Sequence, residues 1–391
     1  MNASFQSTVA HESPVRPTPE LRSVPFASQV SEVAKAAKQK LEMLIDTGRA
    51  NTARVVERVL GLTPEDTLVR GNCLEVHTTG EALTLATGNS SWSLHSNAFG
   101  QLCERIRFPL SFAKDLQVID EVDRGTVVRD NSWRRQLLET NVRELLRNGP
   151  ERHLIRSVTG QARGVLSDRF RRLDSRPLLD AFIGACGALG AVPYEGFATE
   201  LSAAVRAIVP TVFEPVTGEF LVLGLSWQNS DFGTRAYSMS AFTLGLVCLN
   251  GMVGANELKQ VHLGGRLPDD VSFSARTYEF DSKTMASATA DVVRSALDTR
   301  AIERKLDVVR RAHSEEVDWS SAWRRVARDL GKAEQKTLRD TFEGQDVINL
   351  PPGRTTWRLS NALAWMAHQA DSDERRLDLE RLAGVVLQEA T

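Results

Sequence analysis

The stretch SWQNSDFGTRAYSMS, residues 226–240, sets the fold class because it separates two apolar segments with a group of turn-forming residues. Side chains such as those of Asn229, Ser230 and Asp231 readily hydrogen-bond nearby backbone, and Gly233 adopts a positive φ without strain. The segments on either side have the composition of β-strands and read EFLVLGLSWQN and TRAYSMSAFTLGLVC. This stretch therefore predicts a β-hairpin.

The second strand of this hairpin has an alternating pattern. Tyr237, Met239 and Ala241 alternate with Ser238 and Ser240. Successive side chains of a strand point to opposite faces of the sheet, so this pattern predicts one buried face and one polar face.

Two more hairpins and two helices follow from the same local signals. Hairpins are predicted in HLIRSVTGQARGVLSDRF, around Thr159 and Gly160, and in CLEVHTTGEALTLAT. SNAFGQLCERI and SRPLLDAFIGACGAL are predicted to be short helices. Ser96 or Asn97 would cap the first helix, and Ser175 opens the second.

From about residue 283 to the end, the apolar spacing is helical. The predicted fold class is α+β, with a central, mostly antiparallel sheet and helices, followed by a helical C-terminal region. We expect a disordered tail over residues 1–27, an α+β core domain over 28–282 and the helical region over 283–391. Strands from 152–167 and 219–248 are predicted to share one sheet.

Composition indicates an ordinary soluble globular protein. The chain has 391 residues, of which 42% are apolar and 25% charged, and its net charge is −2. No apolar run of about 18 residues could cross a bilayer, and no secretory signal opens the chain, so we expect a cytoplasmic protein without membrane contact. Four widely spaced cysteines predict neither a disulfide framework nor a zinc site.

Familiar catalytic and cofactor motifs do not occur. The chain has no phosphate-binding glycine loop, nucleophile elbow, zinc-binding histidine pair or dinucleotide-binding glycine motif. The sequence therefore predicts no cofactor and assigns no catalytic residue.

A basic stripe is the strongest functional signal. Seven arginines against two aspartates between Arg152 and Arg176 give this segment a local charge of +5. Such a stripe attracts phosphate even on a neutral protein. The alternative is an internal network, in which the arginines pair with Asp168, Asp174 or Asp180.

Aromatic residues near the stripe and the turn extend the candidate site. Trp227 and Phe170 could stack on bases, and Arg235 and Asn229 flank or form the turn. The two glycines before Arg266 in VHLGGR could cradle an anion. The predicted nucleic-acid-binding residues are Arg156, Arg163, Arg169, Phe170, Arg171, Arg172, Trp227, Asn229, Arg235 and Arg266.

Five motifs, taken in order, resemble the phage/plasmid-like family called domain of unknown function 932. They are NAFGQLCERIRFP, LIRSVTGQARGVLSDRFRRLDSRPLLDAF, GLSWQNSDFGTRAYSMSAFTLGLVCLNGMV, HLGGR and TTWRLSNALAWMAHQA. The resemblance covers roughly residues 70 to 390, and Phe170 stands where tyrosine is commoner. The layout is also similar to the core of phage single-strand annealing proteins such as Red-beta and Erf.

The resemblance implies nucleic acid as the partner. The first hypothesis is a mobile-element DNA-metabolism protein that binds single-stranded nucleic acid, as a homo-oligomer supporting annealing, recombination or replication. A second is a metal-dependent nuclease that holds Mg²⁺ with Asp168, Asp174 and Asp231. A third is a protein-binding factor that blocks a host defence enzyme through its helical C-terminal region.

Overall fold

The structure is a computed structural model. It describes residues 32–388 except 80–81, 124–125, 151, 247–250, 261, 263–272 and 345–349. The predicted tail over 1–27 and the candidate Arg266 lie outside the described residues.

Fourteen strands are present in the described part of the chain. They are β1 Glu65–Arg70, β2 Glu75–Thr79, β3 Ala82–Thr87, β4 Ser90–Leu94, β5 Glu121–Asp123, β6 Thr126–Arg129, β7 Arg152–Val158, β8 Gln161–Ser167, β9 Val192–Ala198, β10 Ala203–Ile208, β11 Phe213–Val216, β12 Glu219–Asn229, β13 Tyr237–Gly245 and β14 Gly251–Gln260.

Eleven α-helices accompany these strands in the same described residues. They are α1 Glu32–Gly61, α2 Ser96–Arg105, α3 Leu110–Leu116, α4 Ser132–Asn148, α5 Ser175–Ala188, α6 Ala275–Ala296, α7 Thr299–Ser314, α8 Trp319–Val326, α9 Lys332–Glu343, α10 Thr356–Ala367 and α11 Asp373–Gln388. The α+β class and the helical C-terminal region are confirmed.

The first sheet has six strands in the order β1-β7-β8-β4-β3-β2. Its neighbours are antiparallel except for the short parallel pair β4 and β8. Thr159 and Gly160 both have positive φ, which matches a tight hairpin turn, and the predicted β7–β8 hairpin is confirmed. Helices α2 and α4 cover this sheet, and Leu102 and Leu138 from them are fully buried in its core.

The second sheet has the order β14-β13-β12-β10-β9, with β11 also paired to β12. The predicted hairpin is confirmed, with Gln228 opposite Ser238 and Leu221 opposite Gly245. The predicted polar face is wrong, because Ser238 and Ser240 are buried as well. Helices cover both faces of this hairpin, so both sets of alternate residues lie inside the protein.

The apolar clusters show which helices cover each face of the β12–β13 hairpin. Phe242 and Leu244 pack in one cluster with Leu41 of α1. Met239 packs in another with Phe182 of α5 and with residues of α6. A strand covered on both faces loses the polar alternation that marks a solvent-facing side.

The prediction that 152–167 and 219–248 share one sheet is wrong. The first range forms β7 and β8 of one sheet, and the second range contains β12 and β13 of the other. Strand β7 pairs with the distant β1, and β8 pairs with β4, so both edges of the β7–β8 hairpin are already occupied. The alternation of apolar and polar residues identifies a strand but does not determine which other strand it pairs with.

The C-terminal helices share a core with the second sheet. Leu306 and Val309 of α7, spaced to lie on one helix face, are buried in a cluster with Leu221 of β12. Helix α6 begins at Ala275, so the predicted boundary at 283 falls inside that helix. Among the described residues, no helix combines the length and apolarity needed to span a bilayer.

Candidate functional site

Polar side chains meet where the two sheets approach each other. We name this cluster the polar junction and define it by its eight members, which are Asp66, Arg156, Arg172, Asp174, Ser175, Asn229, Asp231 and His262. They come from β1, β7, the loop before α5, the start of α5, the turn after β12 and the segment after β14. The junction therefore ties distant parts of the chain together.

Arg156 lies at the centre of the polar junction and is 1% exposed. Its Nε donates to Asp66 Oδ1 at 2.7 Å, one Nη to Asp174 Oδ1 at 2.6 Å and the other Nη to the Asp231 carbonyl at 2.8 Å. Burial acts to lower the pKa of Arg156, but the charges of Asp174, Asp66 and Asp231 outweigh it and raise this pKa. Arg156 is therefore an internal cation with its donors satisfied.

The turn of the opening stretch builds one side of the junction. The Asn229 amide nitrogen donates to the Leu173 carbonyl at 2.7 Å and to Ser175 Oγ at 3.1 Å. Asp231 Oδ1 accepts from the backbone N–H of Ser175 at 2.7 Å and from its hydroxyl at 2.9 Å. Ser230 does bond within the turn, where its hydroxyl oxygen accepts from the N–H groups of residues 232 and 234 and from the Thr234 hydroxyl. The predicted local bonds of Asn229 and Asp231 are replaced by bonds to α5.

His262 closes the junction from the segment after β14. Its Nδ1 lies 3.0 Å from the Arg171 carbonyl and its Nε2 lies 3.0 Å from Asn229 Oδ1. Its ring stacks on Phe170, with ring centroids 4.8 Å apart. Burial lowers the pKa of His262, although both of its partners are acceptors that favour the doubly protonated ring.

Asp231 has a strongly shifted pKa. Burial raises the pKa of Asp231 to about 6, against the opposing charge of Arg156. Perturbed acids are found both at functional sites and in structural networks.

Two predicted stacking residues are internal. Trp227 is 0% exposed and packs in the core with residues of α5 and α6, so the prediction that its ring stacks on a base is wrong. Phe170 is buried between His262 and the Arg156 guanidinium, whose carbon lies 5.7 Å from the ring centroid. Asn229 is also fully buried and serves the polar junction.

Three of the seven arginines of the stripe, Arg156, Arg171 and Arg172, form ion pairs with internal carboxylates. Arg171 forms a bidentate pair with Asp281, at 2.8 and 2.6 Å. Arg172 pairs with Asp66 at 2.6 Å, and its guanidinium lies 3.8 Å from the Tyr278 ring centroid. The alternative interpretation of the stripe, an internal ion-pair network, thus describes these residues, although two of their partners are remote in sequence.

The remaining candidates are less enclosed. Arg163 is half-buried and donates to the Glu200 carbonyl at 3.1 Å. Arg169 is exposed, and its side chain has no hydrogen bond or ion pair with another residue that the structure describes. Arg235 lies 3.9 Å from Glu374. The structure thus brings Arg156, Phe170, Arg172 and Asn229 together and leaves Arg235 apart.

An aromatic and basic surface that the sequence reasoning missed lies at the start of α6. We name it the α6 surface and define it by Phe273, Arg276, Phe280 and Lys283. Phe280 is 54% exposed and Phe273 is 47% exposed. The Arg276 guanidinium lies 5.3 Å from the Phe280 ring centroid, and the Lys283 ammonium lies 6.0 Å from it. The alternation of aromatic and charged residues in FSARTYEFDSK was the available signal.

The loop that carries part of the arginine stripe packs against the face of α6 opposite to the α6 surface, where Tyr278, Asp281 and Ser282 lie. The pair between Arg171 and Asp281, and the Ser282 hydroxyl that donates to the Arg172 carbonyl at 3.4 Å, hold the loop before α5 against α6. Exposed Arg169 belongs to this loop and not to the α6 surface.

The acids of the nuclease hypothesis do not assemble a metal centre. In the described ranges, no group of three or more His, Cys, Asp or Glu side chains is placed to hold a metal ion. The Asp174 carboxylate accepts from Arg156 instead, and the Asp231 carboxylate accepts from Ser175.

Comparisons of the chain with protein-family models, with curated proteins and with solved structures find no match. The resemblance to the phage/plasmid-like family stays a prediction from its five motifs.

Proposed function

We propose that the chain binds single-stranded nucleic acid at the α6 surface. The observation that carries the proposal is the exposed Phe280 ring, which lies between the cations of Arg276 and Lys283. Single strands are held by rings on which bases stack and by cations that contact the backbone phosphates. The α6 surface offers both kinds of group within two helical turns.

The cations around Phe280 differ in how much they are engaged. Lys283 pairs with Glu279 at 2.7 Å, but both side chains are mostly exposed, and such a pair contributes little. The Arg276 side chain is exposed and has no ion pair with any other described residue. Arg276 and Lys283 can each reach a phosphate without breaking the core.

The proposal keeps the biological setting that the family resemblance implies. The chain would be a cytoplasmic mobile-element protein of DNA metabolism, acting as a homo-oligomer in strand annealing, recombination or replication. We expect binding without a sequence preference, because every base can stack on a phenylalanine ring.

A fluorescence anisotropy titration with a labelled oligothymidine at about 50 mM salt tests the proposal. Phe280→Ala should weaken binding by roughly 5- to 150-fold, which corresponds to about 1–3 kcal/mol for one stacked base. Because Phe280 is largely exposed, its removal should leave the melting temperature unchanged.

Trp133→Ala is the matched control. Trp133 on α4 is 57% exposed and lies beside the Arg134 guanidinium at 5.2 Å, so it has the same chemistry on a different surface. Loss of affinity in Trp133→Ala but not in Phe280→Ala would reject the α6 surface. Absence of any binding by the wild-type chain would reject nucleic-acid binding.

Salt dependence gives the second test. The double variant Arg276→Ala with Lys283→Ala removes two phosphate contacts, and each contact contributes about 0.7 to the slope of log K against log salt for single strands. The slope should therefore fall by roughly 1.4. An unchanged slope would mean that other cations hold the strand.

Protein binding is the second candidate function, and a different surface favours it. Large apolar side chains are exposed on three elements, α3, β6 and α4, and they are Leu110, Phe112, Val127, Val128, Trp133 and Leu137. Contiguous exposed apolar surface is typical of protein interfaces. If the chain binds no nucleic acid, this function becomes the first candidate, with its interface here rather than on the helical C-terminal region.

A further inference from the structure

The first half of α6 lies outside the apolar core. We name residues 275–284 the α6 arm, and none of them is buried. The first buried side chain of the helix is that of Met285, which packs in the cluster formed by α5, α6 and the second sheet. The α6 surface is therefore carried mainly by a part of the helix that the core does not hold in place.

The sequence of the α6 arm, ARTYEFDSKT, only weakly favours a helix. Thr, Tyr, Phe, Asp and Ser all have a lower helix propensity than Ala, Glu or Lys. Six of the ten arm residues belong to these types, and they are Thr277, Tyr278, Phe280, Asp281, Ser282 and Thr284. Because most helical stability in proteins comes from packing, such a helix end frays unless other contacts hold it.

The start of the helix has two local stabilising contacts. The Ser274 side chain caps it by accepting from the Thr277 N–H. The Phe273 ring packs edge-on against the Tyr278 ring, with centroids 5.9 Å apart, in the positions of a hydrophobic staple. These contacts set where the helix begins but do not attach the α6 arm to the rest of the protein.

The loop before α5 attaches the α6 arm. The Arg171 guanidinium forms its bidentate pair with Asp281, and both side chains are half-buried, so water competes with this pair less than with an open surface pair. The Arg172 guanidinium covers the Tyr278 ring, and its carbonyl accepts from Ser282. In the described part of the chain, no other hydrogen bond, ion pair or ring contact joins the arm to another element.

We propose that Arg171 is a positioning residue of the α6 surface. It acts through Asp281, on the face of the helix opposite to Phe280, and does not itself contact the strand. Arg276, Phe280 and Lys283 are spaced by four and three residues, so they share one face only while the α6 arm is helical. The pair with Asp281 keeps the arm helical and so holds the stacking ring between its two cations. The effect on binding rests on the proposed function.

Hydrogen exchange of the full chain without nucleic acid tests the first step. In Asp281→Ala, the amides of residues 279–284 should exchange roughly 5- to 30-fold faster than in the wild-type chain, because hydrogen bonds between charged groups are lost. Asp291→Ala is the matched control, since it removes an exposed ion pair with Arg294 from the same helix. It should change the exchange of these amides by less than about 2-fold.

The affinity for a labelled oligothymidine at about 50 mM salt tests the second step, and the sign of the change is decisive. Removal of an acid near a basic surface, or release of Arg171 to contact a phosphate, would strengthen binding. Loss of the ordered arm weakens binding in proportion to the ordered fraction that is lost. Asp281→Ala should therefore weaken binding by roughly 3- to 10-fold.

A charge swap completes the affinity test. The double variant Arg171→Asp with Asp281→Arg re-forms the ion pair with reversed charges and keeps the net charge of the chain. It should restore most of the affinity that Asp281→Ala loses.

Three outcomes would overturn the positioning role of Arg171 alone. They are unchanged exchange of residues 279–284 in Asp281→Ala, equal or stronger strand binding by that variant, and a loss of affinity that the charge swap does not reduce. Absence of strand binding by the wild-type chain would overturn the proposed function together with this inference, whatever the exchange rates are.

Discussion

The guanidinium of Arg156 donates to three carbonyl or carboxylate groups that come from separate parts of the chain. Removing one member of a buried ion pair leaves uncompensated charge, and the loss in such cases is about 3–5 kcal/mol. Arg156→Ala should therefore lower the free energy of unfolding by that amount in urea denaturation.

Arg169→Ala is the control for this prediction. Arg169 is exposed and has no described partner, so its substitution should change the free energy of unfolding by less than about 0.5 kcal/mol. Equal effects of the two substitutions would contradict the internal role of Arg156.

Asp231 makes a pH-dependent contribution with a defined sign. Its pKa is about 6 in the folded protein, where it faces Arg156 and Asp174, and about 3.9 in an unfolded chain. Between these values the folded state holds a proton that the unfolded state has released, so rising pH lowers the free energy of unfolding. The total loss is at most about 3 kcal/mol, since one pKa unit corresponds to 1.36 kcal/mol.

The measurement compares the wild-type chain with Asp231→Asn between pH 4 and pH 7. The wild-type chain should lose stability relative to the variant as the pH rises. A relative gain would contradict the raised pKa of Asp231.

At the scale of elements, the contact of α11 with β14 depends on one glycine. A Cβ at Gly384 would lie 1.8 Å from the Val253 carbonyl oxygen and 2.8 Å from the Gly254 nitrogen, both of them backbone atoms. Gly384→Ala should lower the free energy of unfolding by at least about 1–3 kcal/mol, because the helix has to move away from the strand.

Gly184 of α5 is the matched control for Gly384. It is also a helical glycine, but it is exposed and a Cβ there would have nothing within 4 Å. Gly184→Ala should raise the free energy of unfolding by about 0.5–1 kcal/mol through the better helix propensity of alanine. Both effects can be measured by urea denaturation, and a stabilising Gly384→Ala would contradict the close approach.

A second buried ion network fixes α11 to the second sheet. Arg206 of β10 pairs with Glu195 of β9 at 2.8 Å and with Glu380 of α11, and Arg376 pairs with both glutamates. Two cations therefore balance two anions in this network.

The sequence predicts features that arise from residues close together in the chain. It does not predict contacts between residues that are far apart in the chain. The hairpin at Thr159 and Gly160 was predictable because its turn chemistry is local. The sequence predicts Arg171 as a phosphate ligand, but its side chain pairs with Asp281, which lies 110 residues away in the chain. The sequence predicts an exposed Trp227 because the residue lies beside a turn. In the structure, helices cover both faces of its strand.

At the scale of the whole molecule, the two sheets are joined by polar contacts as well as by the chain. Besides the polar junction, Gln101 of α2 donates to the Phe232 carbonyl at 2.8 Å. These bonds should couple the stabilities of the two sheets. Hydrogen exchange should give similar opening free energies for peptides from 65–167 and from 192–260 in the wild-type chain.

Arg156→Ala removes the central side chain of the polar junction. The opening free energies of the two sheets should then differ, with the lower value for the first sheet. If the opening free energies of the two ranges already differ by several kcal/mol in the wild-type chain, the polar junction does not couple the sheets.

All six strands of the first sheet lie between residues 65 and 167, and the second sheet begins only at Val192. On the ribosome, at about 5–20 residues per second, the first sheet would be complete roughly 3–13 s before Asp231 is made. The nascent first half would thus wait with Arg156 bonded to Asp66 and Asp174 but not yet to the turn after β12. Chains arrested near residue 230 should already resist proteolysis over 65–167, and cleavage throughout that range would show that folding waits for the second half.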